Sequence, residues 1–294
     1  MQQNDFPDIY LAADKQAAAT QRMYFRMLWA QYFCLFFASL ITLLTGFLMQ
    51  GALLVGYFGL LVTGAVAALM LATAKPNERW YGFRALAESS KTVSWRYMMG
   101  AAPFDLQLPP AQAKALFADR LHELVAFPGV NSAVLIADKD VSEQFTPAMQ
   151  ALRESDFDTR KAAYLKHRID DQMLWYKKKA AFNQKASKFS LFCVVAVYVV
   201  AIAAVAYQIY RPFISGQVLW VSEPLLVLAA SLLGFAQAKR YAELSASYAL
   251  TALEIQKLRA GFMPIDNETA CSAYVIEAED AFSREHTQWI AKVI

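Results

Sequence analysis

Catalytic chemistry has few footholds in this sequence. Only three histidines occur, His122, His167 and His286, far apart and beside no cysteine or carboxylate cluster of ligand spacing, which argues against a metal centre. There is no glycine-rich phosphate loop, no GxSxG elbow and no CxxC pair, hence no mark of nucleotide hydrolysis, acyl transfer or thiol redox chemistry. The three cysteines are Cys34, Cys193 and Cys271. Two fall in apolar runs and one in a polar region, a distribution of reduced thiols. The expectation is a protein that is not an enzyme and has no catalytic residue, cofactor or metal. The formal charge of +3 comes from basic residues beside apolar runs and gives no argument for nucleic acid.

Charge itself is scarce. Only 18% of residues are charged while 57% are hydrophobic, too apolar for a soluble chain of this length. The excess sits in four runs. Residues 27–48 and 51–74 contain no Asp, Glu, Lys or Arg; at about 1.5 Å per residue each crosses roughly 30 Å of hydrocarbon. Residues 189–210 form a third run, and 218–238 a fourth, with Glu223 and Pro224 near its start. A cleaved signal is the competing account of the first run, since Arg22 and Arg26 precede it. The nearest small-residue cleavage pattern, Ala72-Thr73-Ala74, comes only after two full runs, so a retained hairpin is expected.

Basic residues orient these spans. Lys15, Arg22 and Arg26, then Lys75, Arg79 and Arg84, then Lys177, Lys178, Lys179, Lys185 and Lys188, then Lys239 and Arg240 flank one set of ends, and Arg211 alone flanks the other. The positive-inside bias places both termini and the long middle segment in the cytoplasm, in a multi-pass protein of a cell membrane. The two hairpins then share one orientation. Glu223 is the one formally charged residue inside a span; it snorkels or caps the helix near Pro224, or marks a functional site.

The stretch 168–189, RIDDQMLWYKKKAAFNQKASKF, runs without a break into the third span. A helix can make that passage because its backbone stays hydrogen-bonded while its side chains change solvent. Trp175, Phe182 and Phe189 mark the boundary, and Leu165, Ile169, Met173, Tyr176 and Ala180 follow the spacing of a helical face. The lysines read as an anchor, with a lipid or nucleotide patch as the alternative. After the second span, Trp80, Arg84, Glu88, Lys91 and Trp95 recur at helical spacing. Arg84 with Glu88 and Glu88 with Lys91 are natural ion pairs. On spacing alone this is a solvated stripe, in which Glu88→Ala would be nearly silent; pairing between modules or subunits would instead make it disruptive.

Each half therefore has an entering helix, a hairpin of two spans and a leaving helix, a parallel repeat in which Arg79 and Tyr81 fall on Lys239 and Tyr241. The expected fold is an all-α membrane protein with four transmembrane helices in two parallel-oriented hairpins. Long amphipathic helices extend from it into a cytoplasmic helical bundle. The divisions expected are 1–104, a linker 105–147 and 148–294. Within the linker, a helix begins at Pro109-Pro110 with Ala115, Leu116, Leu121, Leu124 and Val125 among its apolar positions, residues 132–138 form a short apolar run, and the fold of 127–147 stays open. Residues 268–293 form another amphipathic helix. In the first span Ser39, Thr42 and Thr45 recur every third residue; they permit close packing or, as pore-lining candidates, face water if several copies surround an axis.

The sequence YLKHRIDDQMLWYKKKAAFN resembles the entry motif of the SLATT family, membrane effector domains with two transmembrane helices. The resemblance rests on Arg168, Gln172, Trp175, Tyr176 and Ala180, with TPAMQALRESD upstream and FSREHTQWIAKVI, containing Trp289, downstream. Arg84, Glu88, Lys91 and Trp95 are similar to the matching helix of a sister subtype, so nearly the whole chain looks like a tandem of two modules. The resemblance implies an effector of bacterial antiphage defence that damages or permeabilises the inner membrane; four spans with so few polar faces cannot enclose a pore in one copy, so such an effector is expected to be a homo-oligomer. Its trigger would be a nucleotide second messenger or a sensor protein, and its other partner the membrane lipid. It makes Arg84, Glu88, Lys91, Trp95, Arg168, Gln172, Trp175, Tyr176 and Trp289 candidates for assembly. Two other classes stay open: a non-conducting membrane scaffold, and a small-solute channel or transporter, the latter weakened by the lack of paired broken helices.

Overall fold

Apolar runs flanked by charge become long, unbroken helices in the computed structural model. It describes residues 1–44, 50–125, 144–210 and 221–291, with side chains over 1–43, 51–125, 144–210 and 221–283. The apolar run 132–138 lies outside the described residues. Helix α1 (Asp8–Leu44) follows Pro7 and places Asp8 in its first turn, where a carboxylate meets the positive end of the helix dipole. Helix α2 (Gln50–Ala74) carries no acidic residue in its first turn and no basic one in its last. Helix α3 (Pro76–Met98) opens on a proline whose fixed φ suits the first helical position. Then come α4 (Pro110–Val125), α5 (Pro147–Glu154), α6 (Phe157–Tyr164), α7 (Asp171–Tyr210), α8 (Ser222–Lys239), α9 (Tyr241–Phe262) and α10 (Glu268–Ala291). Residues Leu165–Asp170 are a π-helical turn joining α6 to α7.

The chain divides into two units. One comprises Met1–Arg22, Pro76–Tyr176 and Thr251–Ile294; the other comprises Met23–Lys75 and Lys177–Leu250.

In the second unit, small residues let helices approach. A Cβ on Gly64 would lie 3.4 Å from Cys34, and one on Gly234 only 2.7 Å from the Tyr32 hydroxyl. Trp29 packs on Phe235 at 4.5 Å between ring centres, and the Lys239 ammonium stands 3.3 Å over the Phe25 ring. Outward lie Val55, Phe58, Phe192 and Ile202, each more than 60% exposed, a display that water penalises and hydrocarbon accepts. Among the described residues three helical stretches, Asp8–Leu43, Gly51–Ala74 and Phe157–Tyr210, are long and apolar enough to cross a membrane. The described residues make an all-α membrane protein. Of the fourth expected run, 218–238, the described part is the 18-residue α8, about 27 Å long, which is not among these three. It begins at Ser222, two residues before the expected Pro224, with Glu223 exposed in its first turn.

The first unit is built around α3, polar in sequence yet buried on most of its surface. Leu86, Ala87, Ser90, Ser94, Trp95 and Met98 are fully enclosed. The serines pass unnoticed in an apolar setting because Ser90 donates to the Leu86 carbonyl and Ser94 to that of Ser90. The expectation of a solvated stripe is therefore corrected: neighbours on several sides of α3 replace water. Gly100 ends this segment at φ +62, where a Cβ would also collide with Leu106. Helix α4 buries Ala113, Phe117 and Leu121, every fourth residue. Ala115, one of the apolar positions named above, is exposed, because Phe117 selects the face by packing tilted on Tyr97 and edge-on against Phe104. Helix α5 is capped by Thr146, which accepts from the Met149 amide at 3.2 Å, and α6 by Asp156, which accepts from that of Thr159 at 2.9 Å.

The parallel repeat has a backbone signature. Among the described residues, Lys75, between α2 and α3, and Arg240, between α8 and α9, are the two non-glycine residues with positive φ, at 42° and 52°. Each has a glutamate three positions later, Glu78 and Glu243. The junctions thus correspond with an offset of 165 residues rather than the 160 that aligned Arg79 with Lys239.

Candidate functional site

A buried ion pair lies in the first unit. Arg168, on the π-helical turn, donates from Nε to Oε1 of Glu279 on α10 at 2.9 Å and from Nη2 to Oε2 at 2.6 Å. Their side chains are 1% and 0% exposed. Two further donors complete the carboxylate: the Tyr164 hydroxyl at 2.8 Å and the Thr92 hydroxyl at 2.9 Å. Thr92 in turn accepts from Arg168 at 3.3 Å. The guanidinium lies 4.6 Å over the Phe282 ring, and its Nη1 has no hydrogen-bond partner in the structure. Burial alone would lower the Arg168 pKa; the Glu279 charge and its hydrogen bonds outweigh that and hold it above its ordinary value. The Tyr164 phenol is raised well above 10 by burial and then by Glu279, so it stays a proton donor at any working pH. Helix α3 from the first half and the end of α6, the π turn and α10 from the second therefore meet at one four-residue knot.

A second cluster surrounds the predicted stripe. Arg84 pairs with Glu88 at 2.7 Å and reaches Asp14 on α1 at 3.4 Å. Its guanidinium lies 5.9 Å over Trp175 on α7. Glu88 is 8% exposed, and its charge raises the Arg84 pKa. Lys91 stands over the rings of Phe6 and Tyr10 at 5.7 and 5.9 Å. Its pKa is lowered by burial and then by the Arg168 charge. Burial, followed by Glu88, pushes Tyr10 up to about 12. Trp95 is fully buried against Tyr164 at 5.4 Å and Phe6 at 6.1 Å. Removing Glu88 would take from Arg84 its nearer carboxylate, leaving Asp14 at 3.4 Å, and from buried Lys91 the charge that favours its protonated form. Glu88→Ala is expected to lower stability by about 1–3 kcal/mol, read from thermal unfolding in detergent; a change below about 0.5 kcal/mol would mean a solvated side chain after all.

The other predicted residues are placed as follows. Trp175 and Tyr176 pack edge to face at 4.9 Å, Tyr176 being buried, and Gln172 is half-buried on the second residue of α7. Trp289 is on α10, its side chain outside those described, and Thr45 is outside the described residues altogether. Ser39 and Thr42 turn their hydroxyls back onto their own helix, donating to the carbonyls of Phe36 and Ser39 at 2.7 Å each. Among the described residues no cluster of His, Cys, Asp or Glu could hold a metal ion.

Sequence reasoning missed Glu279, Tyr164 and Thr92, and also Arg153. The last is buried on α5 and donates to the carbonyls of Tyr97, Phe104 and Asp105 at 2.6, 2.8 and 2.9 Å while lying 4.8 Å over the Tyr97 ring. A signal for Glu279 existed. It shares the helical phase of Val275, Ala278 and Phe282, all buried, whereas Glu277 and Asp280 face outward.

Comparison with known families places this geometry. The model of the SMODS and SLOG-associating 2TM effector domain 3 (SLATT) matches residues 7–161, and that of effector domain 1 matches residues 164–289. Such domains are two-transmembrane effector modules. Thr92 thus belongs to one match, Arg168 and Glu279 to the other. No curated protein and no solved structure matches the chain.

Proposed function

The chain belongs to the SLATT family, with two of its effector modules in tandem, and from that premise we propose that it is a homo-oligomeric inner-membrane effector that breaches the bilayer in antiphage defence. The observation that carries this is the tandem itself: two two-transmembrane effector modules whose apolar spans are too sparse in polar atoms for one copy to enclose water. Several copies have to surround an axis for a hole to form. The trigger is a nucleotide second messenger or a sensor protein acting on the helices outside the membrane. The Arg168–Glu279 knot is where such a signal would be felt by both modules, because it holds residues of each.

One observation favours the non-conducting scaffold as second reading. The Ser39 and Thr42 hydroxyls each donate to a carbonyl of their own helix, so neither needs water to receive its proton. Mass measurement in nanodiscs separates the two: an oligomer of defined stoichiometry supports the effector, and a monomer at every concentration overturns it.

The thirteen-to-one distribution of basic residues supports the reading that both termini are cytoplasmic. With the native cysteines replaced, Gln50→Cys and Gly216→Cys are expected to react with an impermeant maleimide from outside, and Gln2→Cys and Ser132→Cys only after lysis. The reverse pattern would invert the topology.

A further inference from the structure

Within the second unit a cleft of about 530 Å³ opens between α7, α8 and the first turn of α9. It sits at the basic end of two apolar helices, where Lys185 and Lys188 precede the charge-free part of α7 and Lys239 closes α8. One wall is apolar: Leu191, Val194 and Leu233 line it. Leu191 and Leu233 are also 66% and 46% exposed, so this wall continues into the surface that hydrocarbon must cover. The other side carries Ser187, Ser190 and Gln237, together with Arg240 and Glu243. Those two charges face one another: Arg240 donates from Nε to Glu243 at 2.6 Å and pairs with it again through Nη2. The left-handed backbone of Arg240, φ 52, is what turns the chain sharply enough to set α9 against the cleft.

We propose that this cleft is a binding site for one phospholipid of the adjacent leaflet with a zwitterionic, hydrogen-bond-donating headgroup, phosphatidylethanolamine in chemical class. An acyl chain lies along Leu191, Val194 and Leu233. The phosphate takes the outer face of the Arg240 guanidinium, with the Ser187 and Ser190 hydroxyls as further donors. The ammonium is accepted by Glu243. A guanidinium already paired with a carboxylate presents two adjacent charges of opposite sign, which complements a zwitterion. It opposes an anionic headgroup, whose glycerol offers Glu243 no cation, and a choline headgroup, which has no N–H to donate. The site rests on the chain being a membrane protein and on nothing in the oligomeric or pore-forming reading.

The test is native mass spectrometry of the full chain, purified in mild detergent and then exposed to equal mixtures of phosphatidylethanolamine, phosphatidylglycerol and phosphatidylcholine. The expected result is one retained lipid per chain, phosphatidylethanolamine favoured over each of the others by about tenfold, the ratio that one charge-assisted hydrogen bond of about 1.4 kcal/mol produces. Glu243→Gln should abolish the preference over phosphatidylcholine, and Ala236→Phe, which fills the cleft, should lose retention; helical content and elution volume control for folding. Soluble phosphoethanolamine or inorganic phosphate at millimolar concentration should fail to displace the lipid, since each lacks the chain that the apolar wall holds. Equal retention of the three lipids, displacement by phosphate alone, or undiminished retention in the cleft-filling variant would each overturn the proposal. So would a Glu243→Gln protein with the preference intact. Monomeric protein that retains the lipid would leave this site standing while removing the pore.

Discussion

Arg168→Ala is expected to destabilise the protein by about 3–5 kcal/mol, the range for removing one partner of a buried ion pair. The cost arises from what is left behind. Glu279, with no exposed surface, would keep its charge or take up a proton in a space shaped for a guanidinium, and Thr92 would lose the hydrogen bond it accepts. Glu279→Ala should cost as much, because it strands the Arg168 charge together with the Tyr164 and Thr92 hydroxyls that donate to the carboxylate. The double change Arg168→Met with Glu279→Leu should recover most of the loss, since desolvating both ions offsets much of their attraction. Arg120→Ala, at an exposed pair on α4 with Glu123, should leave the thermal midpoint where it is. The measurement is thermal unfolding of the full chain in detergent. An Arg168→Ala protein as stable as the parent would show that the knot contributes nothing. If the stable double variant no longer responds to a trigger, the pair serves signalling between the modules as well as folding.

How far the sequence leads to this site varies with the residue. The long helices were legible because a charge-free run followed by lysines leaves the backbone few alternatives, and α7 indeed passes from Asp171 to Tyr210 without a break. Arg168 was legible as a motif position, Glu279 was not named, and their pairing was not legible at all: it joins residues 111 positions apart. The π-helical turn over Leu165–Asp170 also defeats a 3.6-residue reading, because an extra residue in one turn rotates everything after it. So Ile169 and Tyr176 of the expected face are buried, whereas Leu165, Met173 and Ala180 are only half-buried. For α3 the spacing was right and the environment wrong. Ser90, Thr92 and Ser94, polar positions that the stripe did not include, are buried: two close onto their own helix and the third serves Glu279. Composition cannot tell a hydroxyl satisfied by backbone from one satisfied by water.

The second large effect is on the membrane. Once copies surround a hole, each charge crossing a 100 mV potential releases about 2.3 kcal/mol, so even brief opening collapses the gradient of a vesicle. A scaffold, however tightly assembled, has no such consequence. The most direct test is release of an entrapped dye from liposomes containing the purified full chain, before and after addition of candidate cyclic nucleotides or an extract of infected cells. The account predicts tight vesicles at rest, and dye release with discrete single-channel currents once the trigger is present. Vesicles that stay sealed under every condition, around protein of monomeric mass, would contradict it.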